Sequence, residues 1–120
     1  MRVILLILAS LALGFSAQAA DLKAGEKVFK KCAACHVVDK EKNKTGPHLV
    51  GIIGRPASSV ASFKKYSKAM KNSGLVWDAE TLDGYLANPK KYLKGTKMAF
   101  AGLKKEKDRA NIIAWLESLQ

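Results

Sequence analysis

Cys32-Ala33-Ala34-Cys35-His36 contains the chain's only two cysteines and one of its two histidines. Two thiols three positions apart, with an imidazole directly behind, form the attachment pattern of a c-type haem. Each sulfur can add across one vinyl group of the porphyrin, and the turn between them brings His36 under the iron. Three other chemistries use such a pair of cysteines. A redox dithiol needs a βαβ context, and strand-like alternation is absent from this sequence. A structural zinc site wants four ligands, usually from a second Cys or His pair, which the chain does not have. A disulfide would close a tiny loop and leave His36 without a role. Haem attachment is the reading that employs all three side chains.

The elements that must hold these residues read as helices. Asp21 suits an N-cap for a helix running to about Cys32, with Leu22, Gly25, Val28, Phe29 and Cys32 on its inward face. A glycine inside a helix costs stability relative to alanine, so Gly25 is expected to let another backbone approach. A last helix over about Lys107–Leu119 places Ile112, Trp115, Leu116 and Leu119 on one face. Crossing these two helices near Gly25 and Phe29 would close the domain. Between them, Ser67–Asn72 reads as a short helix stopped at Gly74. Asp78 caps another through Leu86, ended by Asn88-Pro89, and Pro89 opens a brief one toward Leu93 before Gly95. Asp39–Lys44 is a charged connector, and Thr45–Pro47 and Gly51–Pro56 are rich in turn residues. The expected fold class is all-α.

Composition sets the compartment and the scale. Arg2 is followed by an uncharged run from Val3 to Ala20, most apolar over Val3–Phe15 and ending in Ser16-Ala17-Gln18-Ala19-Ala20. That apolar core is short of the ~20 residues that span a membrane, and its small-residue end suits signal peptidase. Residues 1–20 are read as a secretory signal cut after Ala19 or Ala20, leaving a 21–120 domain; an uncleaved anchor is the alternative. Such a domain is marginal on burial alone, and a central haem would give its side chains a large apolar surface. Charge is the other strong feature, with 21 Lys+Arg against 10 Asp+Glu and a net charge of +11. A field of that sign speeds encounter with acidic surfaces. Nucleic acid is discounted for an exported chain.

With those residues in place, the sequence resembles the class I cytochromes c, the branch that holds mitochondrial cytochrome c and its small bacterial relatives. The resemblance spans the mature chain and rests on Cys32–His36, Thr45-Gly46-Pro47, Gly54-Arg55, Trp77, Tyr85, Asn88-Pro89-Lys90-Lys91-Tyr92 and Gly95-Thr96-Lys97-Met98. It implies short helices and loops wrapped around one covalent haem c, with the N- and C-terminal helices crossing. It further implies that Cys32 and Cys35 bind the haem and that His36 and Met98 are the axial iron ligands. Met70 is the competing thioether and is expected to be a packing residue. The Pro47 carbonyl would fix the His36 ring; Arg55, Tyr66 and Trp77 would settle a buried haem propionate; Tyr85 and Thr96 would lie on the methionine side. His48 is expected at the surface or beside the site, not on the iron. Lys107 stands near where relatives often carry a threonine cap, a departure that Glu106 or Asp108 would offset through the helix dipole.

A thioether is a soft, neutral ligand that favours ferrous iron, and two axial ligands leave no position open to substrate. The expected function is therefore a periplasmic single-electron carrier, monomeric, not membrane-inserted and not an enzyme. Its expected partners are acidic surfaces of a cytochrome bc complex, terminal oxidase, photosynthetic reaction centre or periplasmic dehydrogenase. Lys31, Lys91 and Lys97 are the expected partner-facing residues. A dedicated acceptor or subunit of one dehydrogenase, and a haem peroxidase or sensor lacking Met98 ligation, are the alternatives.

Overall fold

Asp21 begins the ordered architecture by turning its carboxylate onto the Ala24 amide, satisfying one of the free donors at a helix start. In the computed structural model, which describes residues 19–120, this cap opens α1 (Leu22–Phe29). Four more helices follow: α2 (Lys68–Lys71), α3 (Ala79–Ala87), α4 (Pro89–Tyr92) and α5 (Glu106–Ser118). The only pairing of β type among the described residues is one isolated bridge between Pro56 and Val76. Among the described residues the architecture is helical and without strands, the all-α class expected from the sequence. The proposed signal segment lies outside the described residues except for Ala19 and Ala20.

The crossing of α1 and α5 closes the fold as the glycine suggested. A Cβ at Gly25 would run into the carbonyl group of Asn111 and come within 2.8 Å of the Trp115 Cβ. Asn111, which is buried, accepts a hydrogen bond from the Asp21 amide at 2.9 Å, so the cap residue of α1 is itself tied to α5. Phe29 lies against Trp115 with ring centroids 5.1 Å apart. Ile112, Ile113 and Leu116 complete the α5 side of a core shared with Leu82, Tyr85 and Leu103.

Two inward assignments fail at the helix ends. Leu22 and Leu119 are 48% and 47% exposed, because the crossing point is local and both residues lie beyond its reach. α1 also stops at Phe29 rather than Cys32, although turns continue: the Cys32 and Ala33 amides both bond the Phe29 carbonyl. The start of α5 has no side-chain cap; Glu106 and Asp108 occupy its first turn, where negative charge meets the positive end of the dipole. Arg109 adds a tie across the fold, bonding Asp83 of α3 at 2.7 Å and the Leu103 carbonyl at 2.8 Å.

Capping fixes the remaining helices. Asp78 and Thr81 exchange bonds in a capping box, Ser67 accepts from the Met70 amide, and Asn88 accepts from the Lys91 amide with Pro89 in the first turn of α4. Gly102, at φ +114°, carries the chain past Ala87, whose carbonyl a Cβ would strike. These stops place the loop between α4 and α5, which bears Met98, beside the cysteine turn.

Candidate functional site

His36 follows the last turn after α1, where its own amide bonds the Cys32 carbonyl at 2.9 Å. Its ring donates Nδ1–H to the Pro47 carbonyl at 2.7 Å, which fixes the tautomer and leaves the Nε2 lone pair free to bind a metal. Gly46 lies flat against the ring, since any Cβ there would strike Cε1. Burial holds the His36 pKa below the ordinary imidazole value, with the Pro47 bond opposing the shift. The imidazole is thus oriented, with Nε2 left as the nitrogen that can bind.

Around it lies a cavity of about 280 Å³. Its wall gathers Cys32, Cys35 and His36 with Met98 from the loop before α5, and Phe29, Ile52, Leu82 and Ile112 supply apolar surface. Filled only by water, a space of that size with apolar walls would leave the side chains around it without packing partners. A large apolar group belongs in it. Burial raises the Cys32 thiol pKa, the neighbouring Cys35 adding to the shift and Lys31 opposing it. Two free thiols on an apolar wall suit thioether links to such a group better than bare metal binding. Among the described residues no three His, Cys, Asp or Glu side chains gather as a metal cluster.

The polar atoms at the cavity fit a porphyrin's carboxylates. Arg55 donates to the Val50 and His48 carbonyls, each at 2.9 Å, and its Nε is buried without a partner. Tyr66 accepts from the Val60 amide at 3.2 Å, so its hydroxyl hydrogen is free to donate elsewhere. Trp77 is buried on the same wall, tilted against Tyr85 at 5.1 Å. The Tyr85 hydroxyl is 2.7 Å from Thr96 Oγ1; burial raises its pKa, which the Thr96 bond opposes. The residues present therefore fit haem.

The residues singled out from sequence converge here with few exceptions. Cys32, Cys35, His36, Pro47, Arg55, Tyr66, Trp77, Tyr85, Thr96 and Met98 all line the cavity, as do Lys31 and Lys97; Lys91 lies outside its lining. Met70 lines it too, half-buried against the core. His48 is not a surface residue. It is 9% exposed, its Nδ1 accepts from the Val50 amide and its carbonyl anchors Arg55. Ser58 was missed. It also lines the cavity, with φ +63° and a buried hydroxyl that has no partner. No periodicity signals such a residue.

A helical shell closed by its terminal helices around a thiol-flanked imidazole and an apolar slot defines a haem c protein. The cytochrome c family model matches residues 22–120. Cytochrome c type-1 of Ascaris suum is 57% identical over 98 residues, covering 81% of this chain and 87% of that protein. Cytochrome c 2.1 of Caenorhabditis elegans is 55% identical over 100 residues, covering 82% and 89%. Among solved structures, cytochrome cH from Methylobacterium extorquens superposes with a TM-score of 0.77 at 44% identity, covering 82% of this chain and 99% of that one. This chain belongs to the cytochrome c family; it is an electron carrier with one covalent haem c. Among the described residues no helix is long and apolar enough to cross a membrane.

Proposed function

We propose that the chain is a periplasmic shuttle in which Cys32 and Cys35 hold the haem and His36 and Met98 occupy the two axial positions. The observation that carries this reading is the single cavity that unites both thiols, a tautomer-locked imidazole and a loop thioether. When bound, haem supplies a one-electron ferric–ferrous couple. His36 presents Nε2 because Pro47 occupies Nδ1–H. The Met98 thioether, neutral and soft, would favour the reduced state, and His36 and Met98 together would leave the bound iron suited to electron transfer rather than to reaction with peroxide or oxygen. Arg55, Tyr66 and Trp77 take the carboxylates, and Tyr85 with Thr96 orders the methionine side. Residues 1–20 act as the export signal, cut after Ala19 or Ala20, and 21–120 form the mature carrier.

Lys31 and Lys97 stand at the cavity and are exposed, as is Lys91 on α4, so an acidic partner would meet the haem edge first. The partner belongs to the class of cytochrome bc complexes, oxidases, reaction centres or periplasmic dehydrogenases. Such complexes bury little area and depend on steering. An optical redox titration of the mature protein and Met98→Ala tests the ligand set. The native ferric form should show a far-red sulfur-to-iron band, lost in the variant together with a fall in midpoint potential. A native protein without that band, or a variant that retains it, refutes Met98 ligation. Electron transfer to an acidic partner should slow as salt rises, and a flat response refutes the lysine assignment.

A further inference from the structure

The 10 Asp and Glu side chains of the sequence fall in three stretches, 21–41, 78–83 and 106–117. Residues 42–77 and 84–105 hold none, while lysines recur through both. The fold brings these two runs together. A Cβ on Gly95 would lie 3.2 Å from the Ala69 Cβ, so α2 packs against the loop that carries Met98. Lys68 and Lys71 of α2 therefore adjoin Lys94 and Lys97 of that loop, and all four are exposed. Lys65, exposed just before α2, lines the cavity as Lys97 does. None of these five lysines is in an ion pair; the pair among the described residues is Arg109 with Asp83.

Five lysines with no carboxylate among them repel one another, a cost that a surface serving only solubility relieves by mixing the two signs. A one-signed surface steers an anionic partner and sets its orientation. An anionic lipid surface would also draw on exposed apolar side chains to bury among its headgroups. The exposed large apolar residues of the described chain, Leu22, Val76, Tyr92 and Leu119, all lie outside 64–71 and 94–97. The occupant that fits is an acidic protein face. Because Lys65 and Lys97 also line the cavity, a protein seated here covers its mouth. From the junction of the two carboxylate-free runs at Ala69 and Gly95, we infer that the acidic partner docks across α2 as well as at the cavity mouth. Its negative surface is then an elongated strip, and Lys65, Lys68, Lys71 and Lys94 join the partner-facing residues. The inference rests on the reading of the chain as a carrier that meets acidic partners.

The experiment uses holo-protein and poly-L-glutamate as the acidic probe, with binding followed by titration calorimetry at several salt concentrations. Lys68→Glu with Lys71→Glu reverses two charges on α2. Lys23→Glu with Lys27→Glu reverses two exposed charges on α1, which makes no contact with α2, and changes the net charge equally. At low salt the α2 pair should weaken binding by about tenfold, and the α1 pair by no more than about threefold. Lys68→Gln with Lys71→Gln, which removes the charges without adding new ones, should fall between native and the α2 reversal. Bound polymer should also slow oxidation of the ferrous protein by hexacyanoferrate(III), since the mouth lies under it. Equal losses in the α1 and α2 pairs would reduce the effect to net charge and overturn the α2 site, while the acidic-partner reading stands. Native binding indifferent to salt would remove both. Binding that leaves the oxidation rate unchanged separates the lysine face from the mouth and overturns the proposal. So does an α2 pair that loses affinity for phosphatidylglycerol vesicles but keeps native affinity for poly-L-glutamate, which would make the face a lipid surface.

Discussion

Gly25→Ala sets helix propensity against packing, and the two give opposite signs. In an exposed helix interior, alanine in place of glycine gains about 1 kcal/mol. At Gly25 the new methyl group meets the Asn111 carbonyl carbon at 2.7 Å and the Trp115 Cβ at 2.8 Å, where ordinary contact begins at 3.4 Å. Neither neighbour can swing aside, because one is backbone and the other is fixed to it. α1 and α5 must separate by at least about 0.7 Å, the gap between 2.7 and 3.4 Å, and by more to clear the Asn111 carbonyl oxygen, which lies nearer still. That opening strains the 2.9 Å bond from the Asp21 amide to Asn111 Oδ1 and loosens Phe29 from Trp115. Overpacking costs about 1–3 kcal/mol and a weakened hydrogen bond about 1 more. After the propensity gain, a net loss of about 2 kcal/mol is expected, or a Tm lower by roughly 8–16 °C. Gly84→Ala is the internal control. The three atoms nearest its methyl group all belong to the ring of Tyr92, a side chain 43% exposed and not backbone, so its Tm should fall less than that of Gly25→Ala. Thermal and guanidinium unfolding of the two holo-variants provides the assay. A Gly25→Ala midpoint equal to or above native would refute the steric account.

Three further outcomes are expected. Asn111→Ala strands the Asp21 amide and should cost about 1–3 kcal/mol in denaturant titrations, whereas a neutral effect would mean that bond contributes nothing to closing the terminal helices. Asp78 is held below its free value of 3.8 by the bonds from the Thr81 backbone and side chain. Its ionised form therefore stabilises the fold fully above pH 3.8, and that contribution fades as pH falls through the lowered folded value. The stability difference between native and Asp78→Asn protein should accordingly be present at pH 7 and shrink in acid; a difference independent of pH contradicts the sign. Gly46→Ala should push the His36 ring off the Pro47 carbonyl and shift the midpoint potential, and an unshifted potential in fully loaded protein would show the ring to be held by other means.

The sequence was most legible where chemistry and helix period coincide. The Cys-Ala-Ala-Cys-His run, the Asp78 cap and the Asn88-Pro89 stop each carry a local mechanism, and each appears where that mechanism puts it. Gly25 was legible because a glycine in a helical stretch needs a reason. Leu22 and Leu119 misled because periodicity reports which face is apolar but not how far along the helix the contact extends. His48 reads as a residue either at the surface or beside the site, and the choice between them rests on its carbonyl bond to Arg55 and its ring bond from the Val50 amide, which only tertiary geometry reveals. The Arg109–Asp83 pair joins residues 26 positions apart, and no local pattern encodes that meeting. Ser58 was hidden for a different reason: its distinguishing feature is a backbone angle.

Residues 30–67 contain no helix or strand, and much of their inner surface is cavity wall: Cys32, Cys35, His36, Leu49, Ile52, Arg55 and Phe63 all face it. More than a third of the described chain therefore has its cargo for a bedding, with little regular hydrogen bonding of its own to fall back on. A molecule made this way carries its own proof of completion. A chain that has received its cofactor should therefore resist proteolysis better than one that has not, with the first cuts of the empty chain expected in this stretch.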